Sequence, residues 1–217
     1  MRIVVVGDVH MDLGNFTQIP AVGTADTIII SGDITNYGTR SAAREIITAA
    51  RTLNDRILAL PGNLDKPDVA DYLEEESISL HGRGRLFNDL GIFGVGGSNP
   101  TPFNTPIEFS EEELHLFLEQ GYNQVKTASH HILVSHAPPI QTQADRISNG
   151  VHVGSKAVRV FIENHQPAYC LCGHIHEARS CDRIGSTRII NSGMIKDGGW
   201  IEVLVENNTV NASLQTL

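Results

Sequence analysis

Seven side chains with metal-binding donors stand in five short motifs: Asp8-Val9-His10, Gly32-Asp33, Gly62-Asn63-Leu64-Asp65, Ser135-His136 and Gly173-His174-Ile175-His176. The donors are Asp8, His10, Asp33, Asn63, His136, His174 and His176. Together they make a mixed oxygen and nitrogen set without a thiolate. Such a set suits Mn²⁺, Fe or Zn²⁺ better than Ca²⁺, which takes oxygen alone, or a structural zinc, which favours cysteine. Seven donors are too many for one ion and right for two ions that share a bridging carboxylate. Taken singly, each motif reads as turn chemistry, because Asp and Asn are common in turns. Histidine is not a turn former, and four of the ten histidines stand in these motifs. That placement asks for a metal.

Each motif directly follows an apolar run that reads as a buried strand: Arg2 to Val6, Thr27 to Ser31, Arg56 to Leu60, His131 to Ser135 and Ala168 to Cys172. Between the second and third runs, Ala42, Ile46, Ile47, Ala49, Ala50 and Leu53 fall at helical spacing over Ser41 to Leu53. Strand, helix and strand at these lengths form a βαβ unit, and continuously apolar strands imply a sheet covered on both faces. In open α/β sheets the strand ends converge on a crevice where ligands bind. Pro67 to Glu76 and Ser155 to Asn164 read as helices, and Ser110-Glu-Glu-Glu113 is a capping box opening another. Strands are expected at Arg85 to Phe87 and Ile92 to Val95. The tail reads as β at Thr187 to Asn191, Trp200 to Val205 and Thr209 to Leu214, with Asn207-Asn208 turning the last pair.

Length and charge bound the rest. The 217 residues are 41% hydrophobic and carry a formal net charge of −9, which suits one α/β domain spanning residues 1–217. The breaker-rich loop Gly94 to Pro106 is too short to be a domain linker. An acidic chain lacks the basic footprint of an extended nucleic-acid surface, although bound ions would supply the charge to hold a small phosphorylated substrate. No stretch approaches the ~18 apolar residues of a membrane span. Cys170, Cys172 and Cys181 are a poor disulfide framework, so reduced thiols in a cytoplasmic protein are expected. A homo-oligomer is left open.

In this order the motifs resemble those of the calcineurin-like metallophosphoesterase superfamily: Asp-x-His, Gly-Asp, Gly-Asn-His-Asp/Glu, a His after a strand, and Gly-His-x-His. The resemblance spans Asp8 to His176 and implies a four-layer α-β-β-α sandwich with a metal pair above the strand ends. It assigns Asp8, His10 and His176 to one ion, Asn63, His136 and His174 to the other, and Asp33 to both. Mn²⁺ is the first expectation for the two divalent ions, with Fe, Zn²⁺ and Ni²⁺ as the others. Asp33, Asn63, His136 and Asp65 are the implied catalytic set.

One position departs from the pattern. Leu64 stands where the family has a histidine that contacts the phosphate and protonates the leaving group, and Asp65 stands where the family's acid orients that histidine. Two ions lower the pKa of a shared water toward ~7, so in-line attack on phosphorus needs no covalent enzyme intermediate. The leaving oxygen is then the weak point, because a positioned acid contributes ~10²–10⁴-fold. Either the leaving group is stable as an anion, or water or another histidine protonates it, with His81 and His152 the first to test. His130-His131 reads as edge or surface. Phosphodiesterase is the leading expectation and phosphomonoesterase the second. A third reading is a metal-binding scaffold with a decayed site.

Overall fold

The computed structural model describes residues 1–217. In chain order it runs β1 (Arg2–Val6), β2 (Thr27–Ile30), α1 (Arg40–Arg51), β3 (Ile57–Ala59), α2 (Pro67–Glu75), β4 (Arg83–Phe87), β5 (Leu90–Val95) and α3 (Glu111–Asn123). It continues with β6 (His130–Ser135), α4 (Lys156–His165), β7 (Tyr169–Cys172), β8 (Ser180–Ile184), β9 (Thr187–Asn191), β10 (Gly199–Glu206) and β11 (Thr209–Thr216), with short 3₁₀ turns between. The capping box forms as read: the Ser110 hydroxyl accepts from the Glu113 N–H, and the Glu113 carboxylate accepts from the Ser110 N–H.

The strands divide into two mixed sheets, ordered β11-β10-β1-β2-β3 and β4-β5-β6-β7-β9-β8. Within them β1, β2 and β3 pair in parallel, as do β5, β6, β7 and β9. Alternation along each strand builds the layers. Val4, Val6, Ile28 and Ile30 face α1 and α2 in one core. Ile3, Val5 and Ile29 point the other way and meet Ile92, Ile132, Leu171 and Ile190 of the second sheet. Phe93, Leu133, Cys170, Cys172 and Ile189 then pack on α3 and α4. The result is the four-layer α-β-β-α sandwich, and burial of each aliphatic side chain supports it by about 1.5–3 kcal/mol.

Three features depart from the sequence expectations. Where the strand pattern alone implied one covered sheet there are two, as the family resemblance implies, so the five motif-bearing strand ends come from both: β1, β2 and β3 from one, β6 and β7 from the other. An additional strand, β8, alternates half-buried and exposed positions along Ser-Cys-Asp-Arg before the buried Ile184 at a sheet edge, and its polar residues hid it. His130 and His131 open β6, an inner strand between β5 and β7, rather than an edge, at the end remote from His136. Cys170 and Cys172 are buried core thiols and Cys181 is exposed; none is paired. No helix is long and apolar enough to cross a membrane.

Candidate metal centre

The loops after β1 and β2 are laced together by backbone bonds from Asp8 N–H to Gly32 O and from His10 N–H to Asp33 O, at 3.1 and 2.9 Å. The loop after β3 joins them through Leu64 N–H, which donates to Asp33 Oδ1 at 2.9 Å. Such close approach needs glycine at the motif positions. A β-carbon on Gly62 would strike the Asp33 carboxylate, and one on Gly32 would strike the His136 ring. Four of the predicted ligands, Asp8, His10, Asp33 and His174, hold φ values of 53°, 46°, 47° and 65°. Non-glycine residues rarely adopt that left-handed region, and such strain concentrates where a side chain must be aimed.

Donor atoms of Asp8, His10, Asp33 and His176 lie within 4.8 Å of one another. His10 Nε2 and His176 Nε2 are 3.2 Å apart, and His176 Nε2 is 3.1 Å from Asp8 Oδ1. The Asp8 carboxylate also accepts the His174 N–H, at 3.1 and 3.2 Å from its two oxygens. Beside this cluster, the fully buried His136 ring has Nε2 3.0 Å from Asn63 Oδ1 and 3.5 Å from Asp33 Oδ1. The His174 ring centroid is 5.0 Å from that of His136. All seven predicted donors therefore gather at one end of the sandwich.

Hydrogen-bond direction tests whether these residues fit a cation. The Thr105 hydroxyl donates to Glu108 Oε1 at 2.6 Å, so it accepts from Asn63 Nδ2 at 3.0 Å. That turns the Asn63 carbonyl oxygen toward His136. The His136 Nδ1–H donates to Ser31 O at 3.0 Å, which leaves the lone pair of neutral Nε2 facing the Asn63 oxygen. Two acceptors 3.0 Å apart repel unless a cation lies between them. The donor set fits a metal.

The protein's own charges tell the same story. Burial, and then the Asp8 and Asp65 carboxylates, hold the Asp33 carboxyl well above its usual range, so the site demands positive charge. Burial also pulls His10 and His136 below the ordinary imidazole value. His174 is pushed down to about 3 by burial and by the His136 ring. These imidazoles are held in the neutral, ligating form.

Asp65 has a different place. It is fully buried and accepts from Ile34 N–H, Thr35 N–H, the Thr35 hydroxyl and Gly62 N–H at 2.6–3.1 Å. It staples the loops that carry Asp33 and Asn63 and does not line the crevice. The crevice itself, about 710 Å³, is bordered by Asp33, Asn63, Leu64, His152, His174 and His176 among others. His81 is not part of it: its ring is stacked on Phe109 and packed against Phe117, and its Nδ1 accepts the Gly96 N–H.

A sequence model of calcineurin-like phosphoesterases matches residues 1–178. The chain belongs to the calcineurin-like phosphoesterase family. It is 39% identical over 201 residues to an uncharacterized protein of Methanocaldococcus jannaschii, a match covering 88% of this chain and 87% of the relative. The crystal structure of a Thermus thermophilus protein superposes with a TM-score of 0.72 at 16% identity, over 98% of this chain and 97% of that one. A hypothetical protein from the same organism gives 0.59 at 14% identity, over 100% and 99%. These two likenesses are of fold. Family membership together with the Asp8, His10, Asp33 and His176 cluster points to divalent metal ions and phosphoric ester hydrolysis.

Sequence reasoning missed Asp145. It is fully buried beside the crevice and bonded to His152 Nδ1 at 2.7 Å. Neither residue belongs to a recognisable motif; the only signal was a histidine in a loop.

Proposed function

We propose that the protein is a dinuclear metal-dependent phosphodiesterase. Asp8, His10 and His176 hold one ion, Asn63, His136 and His174 the other, and Asp33 both, with manganese first and iron, zinc or nickel as the other candidates. The observation that carries this is the His136 and Asn63 pair, lone pair facing lone pair at 3.0 Å. When bound, the ions supply positive charge to the phosphoryl oxygens and acidify water. The chain's own residues aim the donors: Ser31 O fixes the His136 tautomer, Thr105 fixes the Asn63 amide, and Asp65 fixes both loops. A diester is favoured because Lys156 is the only lysine or arginine bordering the crevice, where Glu111 and Glu177 also stand. A monoester dianion would call for more fixed cations, whereas a diester carries one charge and two organic arms that the open groove has room for.

Elemental analysis of reconstituted protein is expected to find two ions per chain. Hydrolysis of bis(4-nitrophenyl) phosphate is expected to stop with EDTA, return with Mn²⁺, and fall by at least ~100-fold in Asp33→Asn. Protein that binds no metal, or turnover indifferent to EDTA, would sink the reading. Faster turnover of 4-nitrophenyl phosphate than of the diester would favour the monoesterase instead.

A further inference from the structure

Leu64 borders the crevice with no proton to give, yet the same crevice has an imidazole on another loop. His152 Nδ1 lies 2.7 Å from Asp145 Oδ1, its side chain is 36% exposed, and it lines the crevice with His174 and His176. A short hairpin holds it there. Arg146 and His152 pair across its base, Ile147 N–H donates to Val151 O, and Asn99 Nδ2 donates to Val153 O. Asp145 is fixed in turn by N–H groups of Gln141, Thr142 and Gly154 at 2.8–3.1 Å. The carboxylate therefore sets both the tautomer and the direction of the ring: Nδ1 carries its hydrogen toward Asp145, and Nε2 has no partner within the protein.

We propose that His152, oriented by Asp145, is the acid that protonates the leaving oxygen; this rests on the phosphodiesterase reading above. In the step, a water oxygen forms the new bond to phosphorus while the bond to the leaving oxygen breaks, and that electron pair stays on the leaving oxygen. Protonated His152 gives its Nε2 proton to this oxygen, releasing an alcohol and leaving neutral imidazole. The proton lost by the attacking water passes to solvent, and one from solvent restores the imidazolium, so one water is consumed per ester bond. Imidazole suits the task because it gives and takes a proton near neutral pH. The ion-binding histidines cannot do it, since their ring nitrogens are committed to the metal site. His81 cannot, since it does not reach the crevice. Asp145 is a positioning residue.

The test compares metal-loaded parent and His152→Gln on methyl phosphodiesters with aryl and alkyl leaving groups. Parent rates are expected to fall shallowly as the leaving-group pKa rises. Those of His152→Gln should fall steeply, with ~10²–10³-fold lost on alkyl esters and little on the 4-nitrophenyl ester. A diester whose leaving atom is sulfur departs without a proton, so both proteins should cleave it equally fast. Melting temperature and elemental analysis run on the same preparations. Should His152→Gln fold poorly, added imidazole is expected to restore alkyl-ester turnover in His152→Ala, and absence of rescue counts against the proposal. Equal leaving-group slopes in folded, metal-loaded parent and His152→Gln overturn it while leaving the phosphodiesterase reading standing. No turnover of any ester by the parent with two ions bound overturns that reading as well.

Discussion

Asp65 and Asp145 are both fully buried, and each ties together segments of chain that border the same crevice. Each has a threonine hydroxyl beside it, and there the two diverge. The Thr35 hydroxyl lies 2.6 Å from Asp65 Oδ1 and itself accepts the Gly38 N–H, so its hydrogen goes to Asp65. With three backbone N–H groups this fills the roughly four acceptor positions of a carboxylate. The Thr142 hydroxyl lies 3.4 Å from Asp145 but 3.0 Å from Pro139 O, which takes its hydrogen. Asp145 therefore keeps one lone pair, and His152 Nδ1 occupies it. A loop-stapling carboxylate can orient an imidazole only when the hydroxyl next to it has another acceptor.

Asp65 is the more sensitive of the two carboxylates. Asp65→Asn turns one acceptor oxygen into a donor facing N–H groups, a buried mismatch costing ~3 kcal/mol in all, and frees the loops of Asp33 and Asn63. Urea unfolding should show that loss, elemental analysis should show depleted metal, and diester turnover should drop ~100-fold. Asp145→Asn is expected to keep both ions and lose ~10–100-fold, with the loss confined to poor leaving groups; a metal-depleted Asp145→Asn would show that the two carboxylates are not separable.

A smaller effect contrasts His152 with His81, whose ring is shut among Phe109 and Phe117. Burial pushes His81 down to about 4 from an ordinary value of 6.5, so the folded state binds fewer protons than the unfolded one across that window. Stability from this residue is complete above pH 6.5 and is lost as pH falls toward 4, on the order of 2 kcal/mol after allowing for partial solvent screening. Urea midpoints at pH 7 and pH 4.5 should differ less in His81→Phe than in the parent. The smallest effect is expected from Leu64→His, under ~3-fold on alkyl esters, because Asp65 has no free lone pair to hold the new ring. A gain of ~100-fold on alkyl esters would show that Asp65 does orient a histidine there.

The strands and the convergence of the seven candidate donors are readable because both signals are local: an apolar run, then a polar side chain placed by the strand's end. Division into two sheets follows from the motif resemblance and not from the strand pattern, since Val5 and Val6 look alike although one faces the second sheet and the other the helices. Strand β8 hides behind Asp182 and Arg183, which an edge position tolerates. The role of Asp65 escapes the sequence for a related reason. Its motif position suggests an imidazole to orient, whereas its saturation depends on Thr35, 30 residues earlier in the chain. The Asp145 and His152 pair requires a hairpin that no periodicity announces.

Strand β1 sits in the middle of its sheet, flanked by β2 on one side and by β10, from the far end of the sequence, on the other. His10 and His176, whose ring nitrogens meet, are 166 residues apart. A ribosome adding ~5–20 residues per second needs about 10–30 s to cover that interval. Throughout it Asp8, His10 and Asp33 exist as a half-built pocket with β1 unpaired along one edge. Assembly of the Asp8, His10, Asp33 and His176 cluster is therefore a late event in biosynthesis, and the nascent chain passes through a period in which a strongly apolar central strand is open to mispairing.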